Sequence, residues 1–115
     1  MTWLESKTNN QRLIPHLEVA DGFLSRGKGL LGHSKLNEDA GMWIHRCNSI
    51  HTFFMKFSID CVFVDKNLKV KAVFNDVKPW RLVPPVWGAS SVFELASGAA
   101  ARMNICVGDQ LYVGC

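Results

Sequence analysis

No apolar run in this chain approaches the roughly 18 residues that a membrane-spanning helix needs. The densest stretches, Cys61 to Val64 and Val83 to Trp87, are much shorter, so no membrane role is expected. Charge of one sign is also scarce. Thirteen Lys and Arg against ten Asp and Glu give a net charge of +3 and a pI near 8.8, far from the charge block of a dedicated nucleic-acid binder. The four cysteines show no CxxC spacing, which points to free buried thiols and away from a disulfide framework. GxxxxGKS/T, HExxH, internal repeats and low-complexity segments are all missing. Residues 1–20 hold no basic segment followed by an apolar one, so a cytoplasmic protein is expected as written, or an exported one if a leader preceded residue 1. What is present is a foldable composition. A chain of 115 residues, 48% hydrophobic and 20% charged, builds one core and is not disordered. One domain over residues 1–115 is expected, with residues 1–11 as a candidate disordered arm.

Patterning gives a mainly β (α+β) class. Arg12 to Ala20 reads as one short edge or irregular strand because Pro15 interrupts it. Asp21 is a good N-cap, and Phe23, Leu24, Gly27, Leu30 and Leu31 recur at helical spacing up to a stop at Gly32. Gly41 to Arg46 reads as a buried strand. Ile59 to Asp65 (IDCVFVD) is apolar on both parities, as a strand covered on both faces must be. Lys66 and Asn67 make a tight turn into Leu68, Val70, Ala72 and Phe74, which alternate with lysines on a wet face. Lys78 to Gly88 is a stiff loop with three of the four prolines and two of the four tryptophans. Ser91 to Ala96 is a strand, Ser97 to Met103 a turn with one helical turn, and Leu111 to Val113 a last strand.

Several chemical patterns are incomplete. Gly27, Gly29 and Gly32 match GxGxxG, but they end a helix and follow no buried strand, so no dinucleotide cofactor is expected. His45, Cys47 and His51 share one parity, yet a fourth ligand is missing, so no metal is expected. Cys47 with His51 is a candidate nucleophile pair, with a buried inert thiol as the alternative. Lys66, Lys69, Lys71, Lys78 and Arg81 form a weakly basic face that reads as solvated, and no nucleic-acid partner is expected. The stronger hint is Asp60 and Glu94, carboxylates inside strand-like apolar surroundings. Each must be paired or face a wet cavity. Arg81, beside Trp80 on the stiff loop, is the expected partner. The pair either anchors the loop or belongs to a pocket with Trp80 as a stacking face and His51 as a hydrogen-bonding group.

The run Cys47 to Asp65 (CNSIHTFFMKFSIDCVFVD), with PWR at Pro79 to Arg81, FEL at Phe93 to Leu95, Gly108 and Asp109, and upstream RGKGLLGH at Arg26 to His33, resembles the signature of the DUF192 (UPF0127) family of small bacterial and archaeal proteins. Ser58, Cys61 and His33 depart from that pattern. The resemblance implies a jelly-roll-like sandwich or barrel with one or two short helices, and it implies no function. Many relatives carry export signals. His51, Thr52, Met55, Asp60, Trp80, Arg81 and Glu94 match motif positions and are the candidate ligand-binding residues. A small polar or anionic ligand bound near Asp60 and Arg81 is the leading expectation. The alternatives are a hydrolase using His51 with Asp60 or Cys47, and an interaction or structural module, which an exposed apolar patch around Trp80 and Trp87 would favour.

Overall fold

Two segments, Ile59–Val64 and Ser91–Ala96, are buried along their whole length, and the molecule is organised around them. The computed structural model describes residues 2–20, 30 and 35–115. In chain order the strands are β1 (Trp3–Ser6), β2 (Gln11–Ile14), β3 (His16–Ala20), β4 (Ala40–His45), β5 (Ile50–His51), β6 (Ile59–Val64), β7 (Val70–Val77), β8 (Leu82–Val83) and β9 (Ser91–Ala96), followed by the helix α1 (Ala99–Arg102) and β10 (Leu111–Gly114). A five-stranded sheet of order β3-β4-β9-β6-β7 forms the middle layer. Only β3 and β4 run parallel within it.

Alternate residues of β6 and β9 serve opposite faces, which is why both strands are apolar on both parities. On one face Val62, Val64, Phe93 and Leu95 pack against Leu4, Ile14 and Leu111 from a three-stranded sheet of order β10-β1-β2. On the other, Cys61, Phe63 and Val92 join Met42 and Ile44 beneath Ile50, Met55 and Val83, around the two-stranded sheet β5-β8. Each large side chain with no exposed surface, such as Phe63 or Phe93, contributes roughly 1.5–3 kcal/mol by leaving water. A radius of gyration of 12.6 Å fits one packed domain. Among the described residues the sheets do not close into a barrel, and no helix is long and apolar enough to cross a membrane.

The main hairpin, the buried strand after Gly41, the Ser91–Ala96 strand, the helical turn and the last strand lie where the pattern put them. Other segments differ for local reasons. Among the described residues, 2–11 do not form a free arm: β1 pairs with both β2 and β10, and Leu4 has no exposed surface. Pro15 does more than weaken a strand. Lacking an N–H, it splits Arg12 to Ala20 into β2 and β3, which belong to different sheets. The turn after β6 is longer than Lys66–Asn67, because the Asp65 carboxylate accepts the N–H groups of Asn67 (2.9 Å) and Lys69 (3.0 Å) and Leu68 turns at φ 65°. These backbone bonds hold the Asp65 carboxyl below the usual range. The helix read from Asp21, the glycines at 27, 29 and 32, and His33 lie outside the described residues.

Candidate functional site

Thr52 follows the two-residue strand β5 and has no exposed surface. Its hydroxyl donates to the carbonyl of Lys78 (2.6 Å) and accepts the N–H of Arg81 (2.9 Å). Its backbone N–H donates to the carbonyl of Arg81 (2.8 Å), and its carbonyl accepts the N–H groups of Trp80 (3.0 Å) and Met55 (3.1 Å). Thr52, a candidate ligand-binding residue, fastens the 78–81 loop to the body of the protein. Thr52→Val keeps the shape and deletes the hydroxyl, so it should cost about 1–3 kcal/mol. Amide exchange at Trp80 and Arg81 should then accelerate, whereas Thr52→Ser should behave like the parent. Unchanged exchange in Thr52→Val would refute the anchoring role.

The fastened loop presents rings. Phe54 and Trp80 are 70% and 57% exposed, and their centroids lie 4.6 Å apart. Both adopt the left-handed backbone conformation, at φ 68° and 65°. For non-glycine residues such a conformation costs on the order of 1–3 kcal/mol and persists only where the surroundings enforce it. Phe53 stacks between His51 (4.9 Å) and Trp80 (5.9 Å), and Leu82 on β8 is exposed beside Arg81 in the chain. The result is a continuous surface of His51, Phe53, Phe54 and Trp80 with Leu82 nearby in sequence. Sequence reasoning missed Phe53, Phe54 and Leu82. The available signal was a pair of phenylalanines in an otherwise polar turn.

Arg81 and Lys56 flank these rings in sequence, are exposed, and form no ion pair among the described residues. Asp76 is already engaged by Ser97 (2.7 Å) and Lys78 (3.1 Å), which together hold its carboxyl below the usual range. The basic face is therefore smaller than its count of residues, since Lys71 also lies 3.9 Å from Asp65.

Asp60 is not the partner of Arg81. It has no exposed surface, and its two oxygens accept the backbone N–H groups of Asp76 (2.8 Å) and Ala100 (2.9 Å). The carboxylate thereby ties the end of β7 and the start of α1 to the core strand β6. Glu94 does not meet Arg81 either. It is 4% exposed, its Oε1 has no hydrogen-bond partner, and burial pushes its pKa up to about 7. Its cross-strand neighbours are Met42 and Cys61. Burial and then the neighbouring Glu94 and Asp60 push the Cys61 thiol up, which makes it inert. Met55 is 6% exposed and packs in the second core cluster. Of the seven predicted site residues, only His51, Trp80 and Arg81 therefore reach the surface.

The hydrolase pairing lacks its geometry. Both oxygens of buried Asp60 accept backbone N–H groups and none of its bonds goes to His51, while the Cys47 thiol donates its proton to the carbonyl of Ser49 at 2.9 Å. His45, Cys47 and His51 do not share a strand. β4 ends at His45, Arg46 turns at φ 50°, and β5 starts only at Ile50. Among the described residues no cluster could hold a metal ion. Cys61, Cys106 and Cys115 are free thiols, and Cys106 and Cys115 are exposed, contrary to the expectation of burial. A cavity of about 450 Å³ lies elsewhere, at the starts of β3 and β4, and none of His51, Asp60, Trp80 and Arg81 lines it.

The model of the DUF192 family, described as an uncharacterized ACR, matches residues 4–113. The chain is 31% identical over 112 residues to a UPF0127 protein of Thermococcus sibiricus, covering 94% of this chain and 72% of that one. It is 35% identical over 100 residues to a UPF0127 protein of Pyrococcus horikoshii, covering 83% and 84%. A crystal structure of a protein of unknown function from Novosphingobium aromaticivorans superposes with a TM-score of 0.80 at 22% identity, covering 96% of this chain and 82% of that one. That likeness concerns the fold alone.

Proposed function

Since the chain belongs to the DUF192 family, whose description names no activity, we propose its role from its own surface: it is a protein-interaction module that docks an acidic, apolar segment of a partner on the rings around Trp80. The observation that carries this reading is the contact between Phe54 and Trp80, two exposed rings held in a costly backbone conformation by buried Thr52. Leaving two large rings exposed forgoes the gain of burying them, and a conformation enforced by the surroundings at such a place supports a role in presenting them. Phe54 and Trp80 stand largely exposed, and protein interfaces use exposed aromatic and Arg anchors, whereas small-molecule sites are usually concave. Arg81 and Lys56, without ion pairs among the described residues, complement acidic side chains.

Selection of a displayed peptide library on the protein tests this directly. Enriched peptides should combine Asp or Glu with large apolar residues. They should bind Trp80→Ala and Arg81→Glu about tenfold or more weakly, a loss of roughly 1.4 kcal/mol or more. Both variants should melt at the parent temperature because both side chains are exposed. Peptides that bind Trp80→Ala as well as the parent would defeat the proposal. A small anionic ligand is the second reading, supported by the Arg81 guanidinium next to Trp80 in the chain. Saturable quenching of tryptophan fluorescence by a benzoate probe, lost in Arg81→Glu, would favour it over peptide docking.

A further inference from the structure

The cavity at the starts of the parallel strands β3 and β4 is unrelated to the aromatic surface. Its volume of about 450 Å³ falls within the range of small-molecule sites, roughly 300–1,000 Å³. Leu17 and Leu30, nearly fully buried, and half-buried Leu36 give it apolar walls. Glu18 and Lys35 also line it, and neither forms an ion pair among the described residues. Among the described residues the third ionisable group of the lining is His16, which lies 3.7 Å from Asp39. Among the described residues one carboxylate and one ammonium thus line the same space, beside leucines, without pairing with each other.

We infer that this cavity binds a small zwitterion with an apolar side chain, the chemistry shared by free aliphatic amino acids and short apolar peptides. The ligand ammonium meets Glu18, its carboxylate meets Lys35, and its side chain lies against the leucines. Charged hydrogen bonds of this kind give orientation, and the apolar walls give size selection.

Calorimetry with leucine and with the dipeptide Leu-Leu, together with amide NMR, decides the matter. Leucine or Leu-Leu should bind with a Kd of about 1 mM or tighter, and N-acetyl-leucine and leucinamide about tenfold more weakly. Shifts should centre on His16 to Glu18, Lys35 and Gly41. Glu18→Gln should abolish the preference for leucine over N-acetyl-leucine, and Lys35→Met the preference over leucinamide; both residues are exposed, so the fold should survive. Tighter binding of leucine identifies the free amino acid as the source of the chemistry, and tighter binding of Leu-Leu identifies peptides. Absence of saturable binding by either, equal binding of the blocked analogues, or shifts centred on Trp80 would overturn the inference.

Discussion

Asp60→Ala is expected to lose about 4 kcal/mol of stability, a large share of what a domain of this size has. The substitution leaves the N–H groups of Asp76 and Ala100 without their acceptor, each now bonded to a separate oxygen of one buried carboxylate. Bonds to a charged acceptor are worth roughly 1.5–3 kcal/mol each, and an orphaned buried donor bears its full desolvation cost. Asp60→Asn should fall between parent and alanine, because the amide keeps one acceptor oxygen and turns a donor toward the other N–H. Urea denaturation at neutral pH reads the difference. A loss for Asp60→Ala below about 1 kcal/mol would show that these bonds are not what holds β7 and α1 to β6. The position also separates two readings of a buried acid. A ligand-binding Asp60 would lower affinity with little change in stability when replaced, whereas the observed geometry places the whole effect on folding.

Glu94 should make the protein less stable as pH rises. Burial holds its folded-state pKa near 7, against 4.5 for an ordinary glutamate. Below about 4.5 the carboxyl is protonated in both states and its contribution is fully present. Between 4.5 and 7 the unfolded chain releases a proton that the native state keeps, so stability falls, and above 7 the penalty levels off. The total is on the order of 3 kcal/mol. Asp65, whose pKa is lowered by its turn bonds, acts in the opposite sense and only on acidification below the ordinary aspartate value of 3.8. The stability profile should therefore peak between those two windows. Glu94→Gln, close in shape and without a titrating group, should flatten the decline above the peak. An equally steep decline in Glu94→Gln would assign the slope to other groups. Burial is the physical root of the effect, and the unpartnered Oε1 leaves it unopposed, since a hydrogen bond to the charged form would have pulled the pKa down.

Sequence and structure agree where a single residue pattern has a single physical solution. Ile59 to Val64 admits only a strand covered on both faces, and Ser91 to Ala96 likewise. Both strands carry a carboxylate among apolar neighbours, Asp60 and Glu94, and both are buried. Their partners were not legible. Asp60 is satisfied by backbone groups 16 and 40 positions away, and backbone donors carry no signature in the letters of a sequence. The complementary chemistry of guanidinium and carboxylate does not pair Arg81 with either of them, because Arg81 lies exposed and both carboxylates are buried. Thr52 stands at a position of the family signature, but its role as an anchor depends on which loop returns to it. The same limit applies to Phe54 and Trp80. Nothing in their local sequence requires a positive φ, since neither is glycine, asparagine or aspartate.

By itself the sequence determined the class of the fold, the central hairpin from Ile59 to Phe74, the all-buried β9 and the family, because hydrophobic period and turn chemistry are local properties. Tertiary structure alone decided that Pro15 separates two sheets, that Trp3–Ser6 is a paired strand, that Asp60 serves the fold, and that the rings around Trp80 face outward. Those outcomes rest on contacts between segments far apart in the chain, where the free energy of a buried donor or an exposed ring is set by whatever the fold brings beside it.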